Sequence, residues 1–141
     1  MLLGEYEYRI DQKGRLAIPA KFRKEFHGGV VLTRGIDKQI LAFPLNEWQK
    51  LSENYEVSPF SPSKNRRLNR VIFSSAFDLE LDRQGRVAIP QTLRELAQIK
   101  DRAVIAGTNK CLEIWSKELW EEEKKRMDED AYRLAEGTED R

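Results

Sequence analysis

The sequence is poor in the residues on which most small-protein chemistry depends. It holds one cysteine, Cys111, and one histidine, His27, among 141 residues. A single thiol excludes an internal disulfide, and a reduced, cytoplasmic setting is expected. No Cys/His cluster has metal-site spacing, so no metal and no other cofactor is expected. His27 precedes Gly28-Gly29 at the end of a short helical pattern, where a cap or surface residue is expected rather than a general base. The glycines stand in turn contexts and none builds a phosphate loop, so neither catalysis nor a small-molecule substrate is expected. No apolar run approaches the roughly 18 residues of a membrane span. The N-terminal MLLGEYEYRI lacks the basic and apolar regions of a secretory signal.

Charge, by contrast, is plentiful and unevenly spread. Lys and Arg number 25 against 24 Asp and Glu, for a net charge of +1. From Lys117 onward there are six basic and ten acidic residues, net −4, which leaves +5 on the first 116. Residues 65–70, NRRLNR, carry Arg66, Arg67 and Arg70 with no acid. Placement, not the total, decides where the field is positive.

The dominant pattern is an internal repeat. Residues 10–23 read IDQKGRLAIPAKFR and residues 81–94 read LDRQGRVAIPQTLR, an offset of 71. Asp11, Gly14, Arg15, Ala17, Ile18, Pro19 and Arg23 recur as Asp82, Gly85, Arg86, Ala88, Ile89, Pro90 and Arg94. The match continues at an offset of 72, where Gly35, Phe43 and Trp48 meet Gly107, Trp115 and Trp120. The chain therefore reads as a first unit over 5–48, a helical connector over 49–75, a second unit over 76–120 and a charged helical tail over 121–141.

Each unit has the same expected layout. Glu5–Ile10 alternates as a strand with Tyr6, Tyr8 and Ile10 on one face. Asp11 to Gly14 is a turn, since Asp can bond its own backbone and Gly accepts positive φ. Arg15–Ile18 resumes the strand, and Pro19 leads into a short helix over Ala20–Phe26. Val30–Thr33 and Gln39–Phe43 form a hairpin, after which Pro44 starts a helix containing Trp48. The second copy repeats this order, with its last helix starting at Ser116. Ser61-Pro62 opens the connector helix. Trp48 and Trp120 are expected core anchors. Cys111 sits in an apolar strand context and is expected to be buried. Along the last helix Trp120, Met127, Ala131 and Leu134 share one face. Units this small cannot bury enough surface alone, so the copies must pack on or interlock with each other.

Arg15 and Arg86 follow a turn glycine at a strand start. Two roles fit that position. A ribbon can present guanidinium groups to a groove or to phosphates, or each Arg can pair with its own Asp to brace the turn. Lys13, Lys21, Arg23 and Lys24 extend the positive cluster in copy one; Arg83 and Arg94 do so in copy two. The lysines suit phosphate contact or simple solvation, and Arg66, Arg67 and Arg70 suit a second phosphate patch or a solubilised helix.

The D-x-x-G-R turn followed by I-P and a helix ending in Arg resembles the AbrB/SpoVT-like swapped-hairpin DNA-binding domain. Two copies at this separation, with GEYEYRIDQKGR, FSSAFDLELDRQGR and EIWSKELWE, resemble the MraZ family over nearly the whole chain. The resemblance implies a mostly β fold with short helices, in which two hairpin units form one pseudo-twofold double-ψ-type barrel, plus a C-terminal helix. It also implies a non-enzymatic transcriptional regulator, cytoplasmic and nucleoid-associated, that assembles as a homo-oligomeric ring. The expected partner is double-stranded DNA carrying direct repeats in the promoter of the division and cell-wall gene cluster. By residue, it implies DNA contact at Arg15, Arg23 and Lys24 and at Arg86 and Arg94, with Lys13, Lys21 and Arg83 beside them. Asp11, Gly14, Asp82 and Gly85 are then the bracing positions. Copy two departs from the pattern at Glu95, which stands where copy one has Lys24. An alternative is an antitoxin-like interaction module whose basic hairpin binds an acidic partner.

Overall fold

A computed structural model describes residues 1–137. Copy one contributes β1 (Leu2–Arg9), β2 (Arg15–Ala17), a 3-10 segment (Ala20–Phe26), β3 (Val30–Arg34), β4 (Ile40–Pro44) and α1 (Leu45–Asn54). The connector holds α2 (Ser63–Ser74). Copy two repeats the order with β5 (Phe77–Leu79), β6 (Arg86–Ala88), α3 (Gln91–Leu96), β7 (Arg102–Asn109), β8 (Leu112–Ser116) and α4 (Lys117–Ala135). The fold is thus mostly β with short helices and one long C-terminal helix. The tail helix expected over 121–141 is seen to Ala135, and residues 138–141 lie outside the described residues.

The copies do not stand side by side; they exchange strands. The large sheet runs β1-β7-β8-β4-β3-β5, and β2 pairs with β6 in a separate two-stranded ribbon. Copy one's first strand therefore pairs with copy two's third, and copy two's first with copy one's third. The order is unchanged when the copies are swapped, which is the signature of a twofold relation. Two antiparallel pairs lie on the axis: Leu41 faces its own repeat equivalent Glu113, and Leu16 faces its equivalent Val87. Among the described residues the hydrogen-bond ladders do not close into a ring.

Alternation explains which side chains are buried. Leu16 and Val87 on the ribbon are fully buried, as are Ile18, Phe26, Ile105 and Ile114, which form one shared core between ribbon and sheet. The alternation expected on β1 holds, with Tyr6 and Tyr8 half-buried, Ile10 buried and Glu5, Glu7 and Arg9 exposed. Four prolines set the helix starts. Pro19, Pro44, Pro62 and Pro90 each occupy the N-cap with φ between −60° and −51° and ψ between 135° and 149°. Pro62 thus stands one residue earlier than a first-turn position, and its extended ψ swings the chain into the helix behind it.

The two tryptophans occupy equivalent places with different cover. The Phe43 and Trp48 rings lie 5.5 Å apart, as do Trp115 and Trp120. In copy one, Phe73 of α2 closes over Trp48 at 5.3 Å, and the hydroxyl of buried Thr33 donates to the Ile72 carbonyl at 2.5 Å. Trp48 is half-buried and Trp120 is buried, but the Trp120 indole N–H finds no acceptor among the described residues. Among the described residues helix α4 packs only through its first turns. Lys124 still reaches Glu5 at 3.3 Å, whereas Met127, Ala131 and Leu134 are exposed, so the expected apolar face is covered only at Trp120.

Candidate functional site

The outer face of the β2–β6 ribbon brings the two repeat motifs together. Each motif opens with an Asp whose side chain gathers the turn behind it. Asp11 Oδ1 accepts the backbone N–H of Lys13 at 2.9 Å and of Arg15 at 2.8 Å, and Oδ2 accepts Arg15 Nε at 2.7 Å. Asp82 repeats this with Gln84 at 2.9 Å, Arg86 N–H at 2.9 Å and Arg86 Nε at 2.8 Å. Gly14 and Gly85 complete the turns at φ +76° and +77°, a region open to glycine without a steric penalty. The backbone N–H of Arg15, more than any other group, holds the Asp11 carboxyl below its ordinary value, and that of Arg86 does the same for Asp82. Guanidinium hydrogen bonds act in the same direction, and burial opposes them.

Leu16 and Val87 point inward, so Arg15, Ala17, Arg86 and Ala88 face outward. Register sets Arg15 opposite Ala88 and Arg86 opposite Ala17. The exposed surface is therefore two arginines set among small residues. Their side chains keep 33% and 27% of their surface exposed. The bracing role is the one seen in the contacts: Nε of each arginine is engaged with its own motif Asp.

Arg23 and Arg94 take a different position. Arg23 Nε donates to the Ile18 carbonyl and Arg94 Nε to that of Ile89, both at 3.0 Å. Each is half-buried, and each guanidinium lies over the turn glycine of the other copy, Arg23 on Gly85 and Arg94 on Gly14. The sequence signal for this was a Gly and an Arg recurring nine residues apart in both copies. Repetition alone does not reveal that the contact crosses between copies.

The remaining candidates are scattered around the ribbon. Lys13 and Arg83 are exposed at the two turns, and Lys24 is exposed at the end of the 3-10 segment. Lys21 lies 5.1 Å from the Tyr6 ring centre and 5.4 Å from that of Phe22, within cation–π range of both. A groove of about 350 Å³ beside the second turn is lined by Arg23, His27, Asp82, Arg83 and Gly85. His27 is exposed at the C-cap of the 3-10 segment. Arg66 donates through Nε to the Ser61 carbonyl at 2.9 Å and so braces the start of α2; Arg67 and Arg70 are exposed. Cys111 departs from expectation. It is half-buried at the β7–β8 turn, where Thr108 donates to its carbonyl at 3.0 Å, and burial pushes its thiol above the ordinary value.

Comparison with known proteins places the whole arrangement. The family model of the MraZ protein, described as antitoxin-like, matches residues 1–71 and again residues 72–138. The chain is 48% identical over 135 residues to the transcriptional regulator MraZ of Roseiflexus sp. strain RS-1, covering 96% of this chain and 94% of that one. It is 49% identical over 135 residues to the protein of that name from Roseiflexus castenholzii, with the same coverage. It is 44% identical over 141 residues to that of Dehalococcoides mccartyi, covering 99% of both.

Proposed function

Since the chain belongs to the MraZ family, whose named members are transcriptional regulators, we infer that the β2–β6 ribbon is its DNA-reading surface. The observation that carries this reading is the paired outward presentation of Arg15 and Arg86 on a rigid antiparallel ribbon. A two-stranded ribbon fits the major groove, and a guanidinium there can meet guanine O6 and N7 together. Ala17 and Ala88 leave room for close approach. Lys13, Lys21, Lys24 and Arg83 supply sequence-independent contacts to phosphates, and the turn aspartates hold the reading arginines in place.

The role is regulation rather than catalysis, and it is exercised in the cytoplasm on the nucleoid. The target is the promoter of the division and cell-wall gene cluster, read as tandem direct repeats by a ring of protomers. Repeats about one helical turn apart, on the order of 10 bp, let neighbouring protomers meet the same side of the duplex. The net positive charge of the first 116 residues, against the acidic tail, directs the ribbon end towards DNA.

Footprinting on the DNA upstream of the protein's own coding region tests this, followed by titration of that duplex and a scrambled one with wild type and Arg15→Ala. Protection of spaced repeats, lost in the variant, is the expected result. Equal binding of both duplexes by wild type would overturn the reading.

A further inference from the structure

We propose that Arg23 and Arg94 are positioning residues that act across the duplication: Arg94 sets the turn that carries Arg15, and Arg23 sets the turn that carries Arg86. The proposal rests on the ribbon being the reading surface, and it assigns these two arginines to its support rather than to DNA.

The contacts form two closed circuits. Ile18 N–H donates to the Gly85 carbonyl at 2.9 Å, and the Ile18 carbonyl accepts Arg23 Nε at 3.0 Å. The Arg23 guanidinium then returns over the α-carbon of Gly85, where an added methyl group would overlap it. The mirror circuit joins Ile89, Arg94 and Gly14. Ile89 N–H donates to the Gly14 carbonyl at 2.9 Å, and Arg94 Nε donates to the Ile89 carbonyl at 3.0 Å. A Cβ on Gly14 would sit 2.9 Å from Arg94 Cζ. Gly14 and Gly85 immediately precede Arg15 and Arg86. A flat group seated on that glycine therefore fixes the direction in which the reading residue leaves the turn. Only a planar guanidinium can donate through Nε and cover the glycine at once; a lysine ammonium is a point charge on a flexible stem.

Direct phosphate contact by Arg23 and Arg94 would behave differently. It would survive substitution by Lys, and its loss would lower the salt slope of binding by about one. Its effect would also add to those of Arg15→Ala and Arg86→Ala alike.

Hydrogen exchange read by mass spectrometry on the assembled protein separates the two. Arg94→Ala is expected to raise uptake in the peptide spanning residues 11–15 and not in that spanning 82–86, and Arg23→Ala the reverse. Arg94→Lys carries the same measurement should the alanine variant fail to fold. On the footprinted duplex, Arg94→Ala and Arg94→Lys should each lose about tenfold in affinity, the lower range for one bidentate base contact, with the salt slope unchanged. Adding Arg94→Ala to Arg15→Ala should then change little, while adding it to Arg86→Ala should multiply the losses. Uptake rising in the variant's own copy, or binding restored by Lys, overturns the proposal. Crosswise uptake in a protein whose Arg15→Ala and Arg86→Ala variants bind like wild type keeps the clamps and overturns the reading surface instead.

Discussion

Arg86 of copy two places Nη1 3.8 Å from Oδ2 of Asp11 in copy one, the same oxygen that accepts Arg15 Nε. Among the described residues Arg15 has no matching pair with Asp82. The twofold relation is broken here: one carboxylate faces both outward arginines, and the other faces only one. Asp11→Ala should therefore loosen both reading residues and Asp82→Ala only Arg86. Operator affinity is expected to fall further for Asp11→Ala. Titration of the two variants on one duplex checks this, and equal losses would deny the cross-copy pair any consequence.

The same asymmetry ranks the arginines. Arg15 is held by one carboxylate and Arg86 by two, so Arg15 is freer to turn its terminal nitrogens to a base. Arg15→Ala is expected to remove roughly 1–3 kcal/mol per engaged protomer, and Arg86→Ala less. Lys13→Ala should weaken binding to all sequences alike and lower the salt slope by about one per protomer. Gel-shift titration across salt concentrations, with assembly size checked in parallel, distinguishes the three.

Acid should loosen the turns late. The carboxyls of Asp11 and Asp82 are held below their ordinary 3.8 in the folded protein. A depressed folded value means a stabilising contribution that is complete above the unfolded value and lost as pH falls through the folded one. The turns should thus stay intact through pH 5 and open only below about 4. The double variant Asp11→Asn, Asp82→Asn should show a flatter acid limb in unfolding midpoint against pH. An acid limb as steep as wild type would place the titration elsewhere, Glu7 being another carboxyl held low, first by its hydrogen bond from Lys117.

Gly85→Ala meets two obstacles. A side chain in the left-handed region costs about 1–2 kcal/mol, and the new methyl group would overlap Arg23. The second obstacle disappears in Arg23→Ala, so the double variant should lose less stability than the sum of the single losses. Urea unfolding of the four proteins in the cycle gives the coupling directly, and strict additivity would mean that Arg23 yields to the methyl group without cost.

Trp120→Phe should be mild. The buried indole N–H has no acceptor among the described residues, and an unmet buried donor costs about 1–3 kcal/mol. Removing it offsets the loss of ring contact with Trp115. A change within about 1 kcal/mol in denaturant unfolding is expected; a loss near that of a full core truncation, about 3–5 kcal/mol, would show that the indole has a partner in solution.

Much of this was legible in the residues. The duplication, the Asp-to-Gly turns, the short helix at Ala20–Phe26 and the Val30 hairpin follow from local chemistry that acts within a few positions. The strand exchange does not, because an offset of 71 says that Ile10 and Leu81 are equivalent and not whose neighbour either becomes. The seats of Arg23 and Arg94 are hidden for the same reason: the glycines they cover, Gly85 and Gly14, are over sixty positions away. Cys111 stands one residue before the strand Leu112–Ser116, and Asn109 turns the chain at φ +76° two residues ahead of it, which leaves it at the turn.

The pairing of β1 with β7 also sets a clock. Leu2 lies opposite Asn109, and Arg9 opposite Arg102. Strand β1, once complete at Arg9, thus has no partner until more than ninety further residues have been made. At about 5–20 residues per second, that is a wait of roughly 5–20 s. Contacts this distant in the chain also form slowly once both ends exist. An interrupted translation product ending before Arg102 would hold β1 without its mate, and the β2–β6 ribbon would lack the β7 and β8 strands of the sheet behind it. Completion of the second copy is therefore the step that arms the first.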